Sequence, residues 1–165
     1  MRGTTIAVIG ALLSLGVAVA DARPRPRSQR FTANKSFGLG IMVGAPSGLS
    51  GKYYLSANTA LDFGVGAYYR YRDRDGLHVH ADFLWHPAVV AKARPFWVPI
   101  YIGLGGRFLD HGNHSHVGIR APVGIMLDFQ RTPLDIFLEF ALVADVGVDD
   151  DNLDFHGALG VRYYF

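Results

Sequence analysis

From residue 36 onward the chain alternates apolar and polar side chains with a period of two. Eight stretches carry the pattern: 36–43, 49–56, 60–72, 77–87, 98–109, 117–129, 134–147 and 153–165. A period of two places successive side chains on opposite faces, so each stretch reads as a β-strand. The last is the clearest. Leu153, Phe155, Gly157, Leu159, Val161, Tyr163 and Phe165 share one face, and Asp154, His156, Ala158, Gly160, Arg162 and Tyr164 share the other. The links carry turn chemistry: Ala45-Pro46-Ser47-Gly48, Ala57-Asn58-Thr59, Arg74-Asp75-Gly76 and Arg131-Thr132-Pro133. Short links force antiparallel neighbours, and eight such strands close into an up-and-down barrel.

Alternation proves two faces without saying which one meets water. A soluble, lipocalin-like barrel points its apolar face inward, and a membrane barrel points it outward. The polar face decides between them. It holds Gly38, Gly40, Gly64, Gly66, Gly103, Gly105, Gly118, Gly124 and Gly160. Glycine weakens a solvent-facing strand, but it makes room for large side chains across a narrow lumen. The same face carries Lys52, Arg70, Arg72, Arg107, Arg120 and Arg162 against Asp62, Asp82, Asp128, Asp135, Glu139, Asp145 and Asp154. Enclosed charges are costly unless paired, and this set nearly balances. The expected lumenal charge network is Lys52, Arg70, Asp82, Arg107, Arg120, Asp128, Glu139 and Arg162, with Arg120, Glu139 and Arg162 at its centre.

The opposite face suits lipid. It runs through Leu39, Ile41, Leu61, Val65, Ile102, Leu104, Ile119, Val123, Leu138 and Phe140. Aromatic residues gather at its two rims: Tyr69, Tyr71, Phe108 and Phe155 at one, Trp85, Trp97, Phe129, Tyr163 and Phe165 at the other. Paired aromatic girdles belong to membrane barrels. The chain is therefore expected to be all-β, an eight-stranded antiparallel up-and-down transmembrane β-barrel. Pro122 interrupts the sixth stretch. Its missing N–H predicts a bulge or a local gap in the ladder there.

Two segments precede the barrel. Residues 1–20, MRGTTIAVIGALLSLGVAVA, join Arg2 to an apolar run and a small-x-small end at Ala18-Val19-Ala20. That is the form of a cleaved signal peptide. Residues 21–35, DARPRPRSQRFTANK, read as a basic, Pro-rich, extended periplasmic linker, solvated along its length. The barrel domain is then 36–165. The chain has no cysteine, which excludes disulfides, cysteine-bound metals and thiol catalysis. A net charge of +2 over 165 residues gives no electrostatic case for nucleic acid.

Several motifs carry a family likeness. Residues 44–54 (GAPSGLSGKYY), 80–86 (HADFLWH), 118–124 (GIRAPVG) and 160–165 (GVRYYF) resemble an OmpA-like family of small bacterial outer-membrane proteins, mostly of unassigned function. The likeness covers roughly residues 36–165. It implies an eight-stranded barrel in the outer membrane with a periplasmic N-terminus. A closing strand that ends Val161, Tyr163, Phe165 also resembles the C-terminal signal read by the barrel-assembly machinery. The partners so implied are outer-membrane lipids, lipopolysaccharide and that machinery, and the barrel is expected to be a monomer.

Candidate chemistry is thin. His111, His114 and His116 have the spacing of a weak Zn²⁺ or Cu²⁺ site on a loop, and Asp149-Asp150-Asp151 has the charge for Ca²⁺. A solvated loop accounts for either without metal, so no cofactor is expected. His78, His80, Asp82 and His86 share one strand face, an acid/base constellation that lacks a nucleophile placed beside it. A packed lumenal network explains it equally. The expected role is structural or surface interaction without catalysis. The alternatives are a narrow gated pore, an outer-membrane lipid-modifying enzyme and a soluble binding barrel.

Overall fold

The computed structural model describes residues 30–68, 76–110, 115–146 and 153–165. Eight strands follow one another: β1 (Phe37–Gly44), β2 (Ser47–Tyr54), β3 (Thr59–Tyr68), β4 (Gly76–Lys92), β5 (Phe96–Asp110), β6 (Ser115–Phe129), β7 (Leu134–Val146) and β8 (Leu153–Tyr164). Every neighbour is antiparallel, and β1 pairs with β8, so the sheet closes on itself. Closure leaves no free edge, and a free edge in lipid would leave backbone N–H and C=O groups unpaired.

The strands begin and end near the expected positions, with one real difference. Residues 88–97 are largely paired rather than a loop. β4 and β5 continue together down to Lys92↔Trp97, and Ala93, Arg94 and Pro95 alone make the turn. The extension has register shifts between Trp85 and Ala88 and between Val89 and Ala91, next to Pro87 and opposite Pro99. Prolines cannot donate to the ladder, and bulges absorb them. Pro122 acts more simply. Its pairing with Ala141 of β7 is kept, while Gly103 of β5 opposite it makes no pair with β6 and the register on either side is unchanged. The interruption is a gap, not a bulge.

Alternation sets the two faces as expected. Leu39, Ile41, Val65, Phe83, Leu104, Ile119, Val123, Phe140 and Leu159 stand exposed around the outside. Lys52, Asp62, His78, Asp82, Arg107, Arg120, Asp135, Glu139 and Arg162 are buried inside. Continuous apolar exposure around a charged interior suits hydrocarbon outside, because in water the exterior would far exceed the apolar patch a soluble monomer tolerates. The interior is not uniformly polar, since Leu84, Val143 and Ala60 are fully buried in it. Of the girdle residues, Trp85, Phe108, Phe155, Tyr163 and Phe165 face outward. Trp97 does not. It shares its strand face with Tyr101 and packs on the core at the barrel mouth, with the Lys92 ammonium 3.6 Å from its ring centroid. Tyr69, Tyr71, Arg70 and Arg72 lie outside the described residues, as do the signal segment and the Asp149–Asp151 loop.

Large and small residues interlock between neighbouring strands on the lumenal face. A Cβ on Gly124 would lie 2.2 Å from the Tyr101 ring, and one on Gly160 would lie 2.3 Å from the Phe137 ring. At the β1–β2 turn Gly44 has φ +137°, a backbone state that side chains other than glycine rarely adopt.

The segment before β1 is packed rather than solvated over its described part. Phe31 is 2% exposed, with its ring centroid 5.0 Å from that of His86 and 5.9 Å from that of Tyr54. The Ala33 N–H donates to the Ala57 carbonyl at 2.7 Å. Lys35 Nζ donates to Asp128 Oδ1 at 2.6 Å and to the Leu134 carbonyl at 2.9 Å. The folded unit therefore includes residues 31–35, and Phe31 stoppers the end that carries both described chain ends. Phe31→Ala is expected to remove about 3 kcal/mol, the usual cost of emptying a buried aromatic position. A lowered urea midpoint in detergent micelles checks it.

Candidate lumenal ion-pair network

Three clusters of charge occupy the lumen, one above another. Nearest the Phe31 end, Arg162 of β8 faces Asp62 of β3 and Asp135 of β7. Its Nε donates to Ser50 Oγ at 2.8 Å. Its Nη2 lies 2.7 Å from Asp62 Oδ1, and its Nη1 lies 3.7 Å from Asp135 Oδ2. Neither Nη contact has hydrogen-bond geometry, so charge attraction rather than a directed bond holds the guanidinium there. Asp135 is further satisfied by the Tyr164 hydroxyl, which donates to Oδ2 at 2.6 Å. The Arg162 guanidinium also stacks on Phe137, 3.8 Å from the ring centroid. This planar contact suits arginine and not lysine.

At the waist, Arg120 of β6 bridges two carboxylates. Nη1 donates to Asp82 Oδ2 of β4, and Nη2 donates to Glu139 Oε1 of β7 at 2.5 Å. The Tyr101 hydroxyl donates to the other Glu139 oxygen at 3.0 Å. Near the opposite mouth, Arg107 of β5 gathers Asp145 and Asp154, at 2.6 Å from Asp145 Oδ1 and 3.2 Å from Asp154 Oδ2. His156 and the Tyr68 hydroxyl complete that cluster, each bonded to Asp154 Oδ2, at 3.0 and 2.6 Å.

The predicted network residues thus divide among different partners. Arg120, Glu139 and Asp82 meet. Arg162 does not join them but holds Asp62 and Asp135 instead. Arg107 belongs to the far cluster. Asp128 takes its counter-charge from Lys35, ahead of the barrel strands. Lys52 has no carboxylate within ion-pair distance among the described residues. Its Nζ lies 2.9 Å from His86 Nε2 and about 5 Å from the Tyr54 and Tyr101 rings, at 5.1 and 4.9 Å. Arg70 lies outside the described residues. Asp62, Asp135, Asp145 and Asp154 belong to the network although the expected set omitted them. Their inward parity was visible in the sequence, but their cross-lumen partners were not.

The histidines line the lumen. His78 and His80 contact each other at 3.1 Å, and His80 Nε2 lies 3.9 Å from Asp62. Ser50, an inward hydroxyl on β2, accepts from Arg162 and contacts no histidine in the described hydrogen bonds. His111 and His114 lie outside the described residues. His116 sits within β6 opposite Leu109 rather than on a loop. Among the described residues, His80, Asp82 and Glu139 bring ligand atoms within 4.8 Å of one another. Arg120 already supplies the cation between those two carboxylates.

The described strands form a closed eight-stranded antiparallel up-and-down barrel with an apolar exterior and an ion-paired lumen. No family model and no curated protein sequence matches the chain. Among solved structures, it is similar to the N-terminal β-barrel domain of Pseudomonas aeruginosa OprF. The TM-score is 0.59 at 16% identity, covering 79% of this chain and 98% of that domain. At that identity the likeness establishes the fold. The 79% share of the chain corresponds to about the length of the barrel.

Proposed function

We propose that this protein is an integral outer-membrane barrel with a plugged lumen, acting as a structural or surface-interaction element without catalysis. One observation carries the proposal: Arg120 and Tyr101 at the waist, and Arg162 and Phe137 in the layer beside it, are each at most 2% exposed, and ion pairs to three strands hold the two arginines. An eight-stranded interior is just wide enough for side chains to fill, so such a packed waist leaves no standing aqueous path. The N-terminus lies in the periplasm, outer-membrane lipids and lipopolysaccharide surround the wall, and the β8 ending Val161, Tyr163, Phe165 is read by the assembly machinery. The buried histidines on β4 serve as lining, each within reach of another lumenal group.

Membrane fractionation followed by a gel-shift assay tests fold and location together. The heat-labile compact band is expected in the outer-membrane fraction, and recovery in the soluble periplasm would sink the proposal. Planar-bilayer recordings test the plug. The wild-type protein is expected to show no discrete conductance steps, because paired charges fill the waist. Steady single-channel openings from wild type would favour the narrow pore instead. Lipid turnover by the purified barrel, lost in His80→Ala, would favour the enzyme.

A further inference from the structure

The outer surface of β5, β6 and β7 carries three concavities in line. At the end bearing Phe31, a cleft of about 400 Å³ is lined by Arg94 and Pro95 of the β4–β5 turn, Phe129 at the end of β6, and Arg131 and Thr132 of the β6–β7 turn. Both arginines are exposed, and among the described residues neither has a carboxylate within ion-pair distance. Phe129 is paired edge-to-face with Phe96, at 6.0 Å between centroids, and forms the floor of the cleft. Two residues back along the outward face of β6 comes Leu127. It opens an apolar groove of about 170 Å³ shared with Ile136, Leu138 and Leu159. Ile125 and Leu138 belong also to the next groove, of about 260 Å³, which runs on to Val123, Ile100 and Phe140. The two grooves are therefore continuous through shared walls. From Phe129 to Val123 the β6 backbone advances roughly 20 Å at the ordinary strand rise, about the length of a membrane lipid's acyl chain.

We infer that this track is a binding site for one anionic glycerophospholipid, its phosphate held between Arg94 and Arg131 and one acyl chain laid along the β6 groove. The chemistry of the two ends differs as a lipid's does. Guanidinium forks match phosphate oxygens bidentately and lie at the rim of the apolar wall, where a headgroup sits. The grooves below are lined by carbon. Thr132 adds a hydroxyl at the headgroup level. The site selects for negative charge, since no acidic residue lines the cleft. The inference does not depend on the proposed plug, because the lumen and the lipid wall are separate faces.

Spin-label electron paramagnetic resonance on the full chain in phosphatidylcholine vesicles tests it, with trace spin-labelled phosphatidylglycerol or phosphatidylcholine as probe. The motionally restricted fraction is expected to favour phosphatidylglycerol by about thirtyfold, on the scale of two basic residues at a lipid surface. Arg94→Gln with Arg131→Gln is expected to bring that preference close to one. Lys92→Gln removes a cation at the same end that does not line the cleft, and it is expected to leave the preference almost intact. Equal losses in the two variants would replace the site with a diffuse basic surface and overturn the inference, as would an unchanged preference in the double variant. Inorganic phosphate at millimolar concentration is expected not to compete, because the grooves contribute through the acyl chain. Full displacement by phosphate alone would overturn the lipid assignment. Arg94 and Arg131 are exposed turn residues and Lys92 is exposed at the end of β4, so the compact gel band checks that each barrel has folded.

Discussion

Arg162→Met is expected to destabilise the barrel by about 3–5 kcal/mol, the range for removing one partner of a buried ion pair. Asp62 and Asp135 would be left inside a wall of lipid with one shared cation gone. Asp62 Oδ1 and Asp135 Oδ1 already have no hydrogen-bond partner, so Arg162 is their main compensation. Ser50 would lose its donor, and Phe137 would lose the guanidinium on its face. The measurement is the urea midpoint of the compact, heat-labile band. Arg162→Lys is expected to recover less than half of the loss, since an ammonium restores charge but neither the Nε bond to Ser50 nor the stacking on Phe137. The triple change Arg162→Met, Asp62→Asn, Asp135→Asn is expected to be more stable than Arg162→Met alone, because it removes the stranded charges together with their partner. If the triple variant is no better than the single one, the pairing account of this cluster is wrong.

Gly40→Val is expected to prevent the barrel from closing. Gly40 lies on β1 opposite Arg162, at the seam where the first strand meets the last. A Cβ there falls far inside contact distance of the Val161 carbonyl oxygen and lies 2.7 Å from the Arg162 Cα. Both are backbone atoms of the partner strand, so no rotamer change relieves the overlap. The β1–β8 ladder must spread, which in lipid exposes unpaired backbone at several kcal/mol for each group. Gly106→Ala is the control. A Cβ there meets only the Gly118 carbonyl, at 3.8 Å, and the variant is expected to fold like wild type. Refolding yield into micelles, read from the compact gel band, separates the two. Normal yield from Gly40→Val would mean that the seam is looser than its spacing indicates.

The face assignments were legible because a strand imposes its parity locally. Once Arg120 is seen to alternate with Ile119 and Ala121, its side of the sheet follows from backbone geometry alone. Partner choice was not legible in that way. Arg120 and Asp82 stand on strands separated by β5, and Arg162 reaches Asp62 across β1 and β2. Such contacts depend on the stagger of each ladder around the closed ring, which no short-range pattern encodes. The same limit hid Phe31. Its neighbours Arg30 and Thr32 are polar, and a Pro-rich basic run precedes it, so nothing local marks it as core. Its burial depends on a mouth built by Tyr54 and His86 from two other strands. Residues 88–97 misled for a related reason. Pro87, Pro95 and Pro99 look like loop punctuation, yet bulged pairing carries the ladder past the first and the third.

Sequence alone determined strand number, antiparallel order, which side chains face lipid and which face the lumen, and the near-balance of enclosed charge. These follow from a two-residue repeat and short links, both local properties. Only the tertiary structure decided that the lumenal charges divide into three separate clusters, that Arg162 stacks on Phe137 and belongs with Asp62 and Asp135, and that Phe31 and Lys35 close one mouth. It alone also aligned Arg94 and Arg131 with the grooves of β5, β6 and β7. Each of these depends on distances across or around the barrel, and such distances exist only once the first strand has paired with the last.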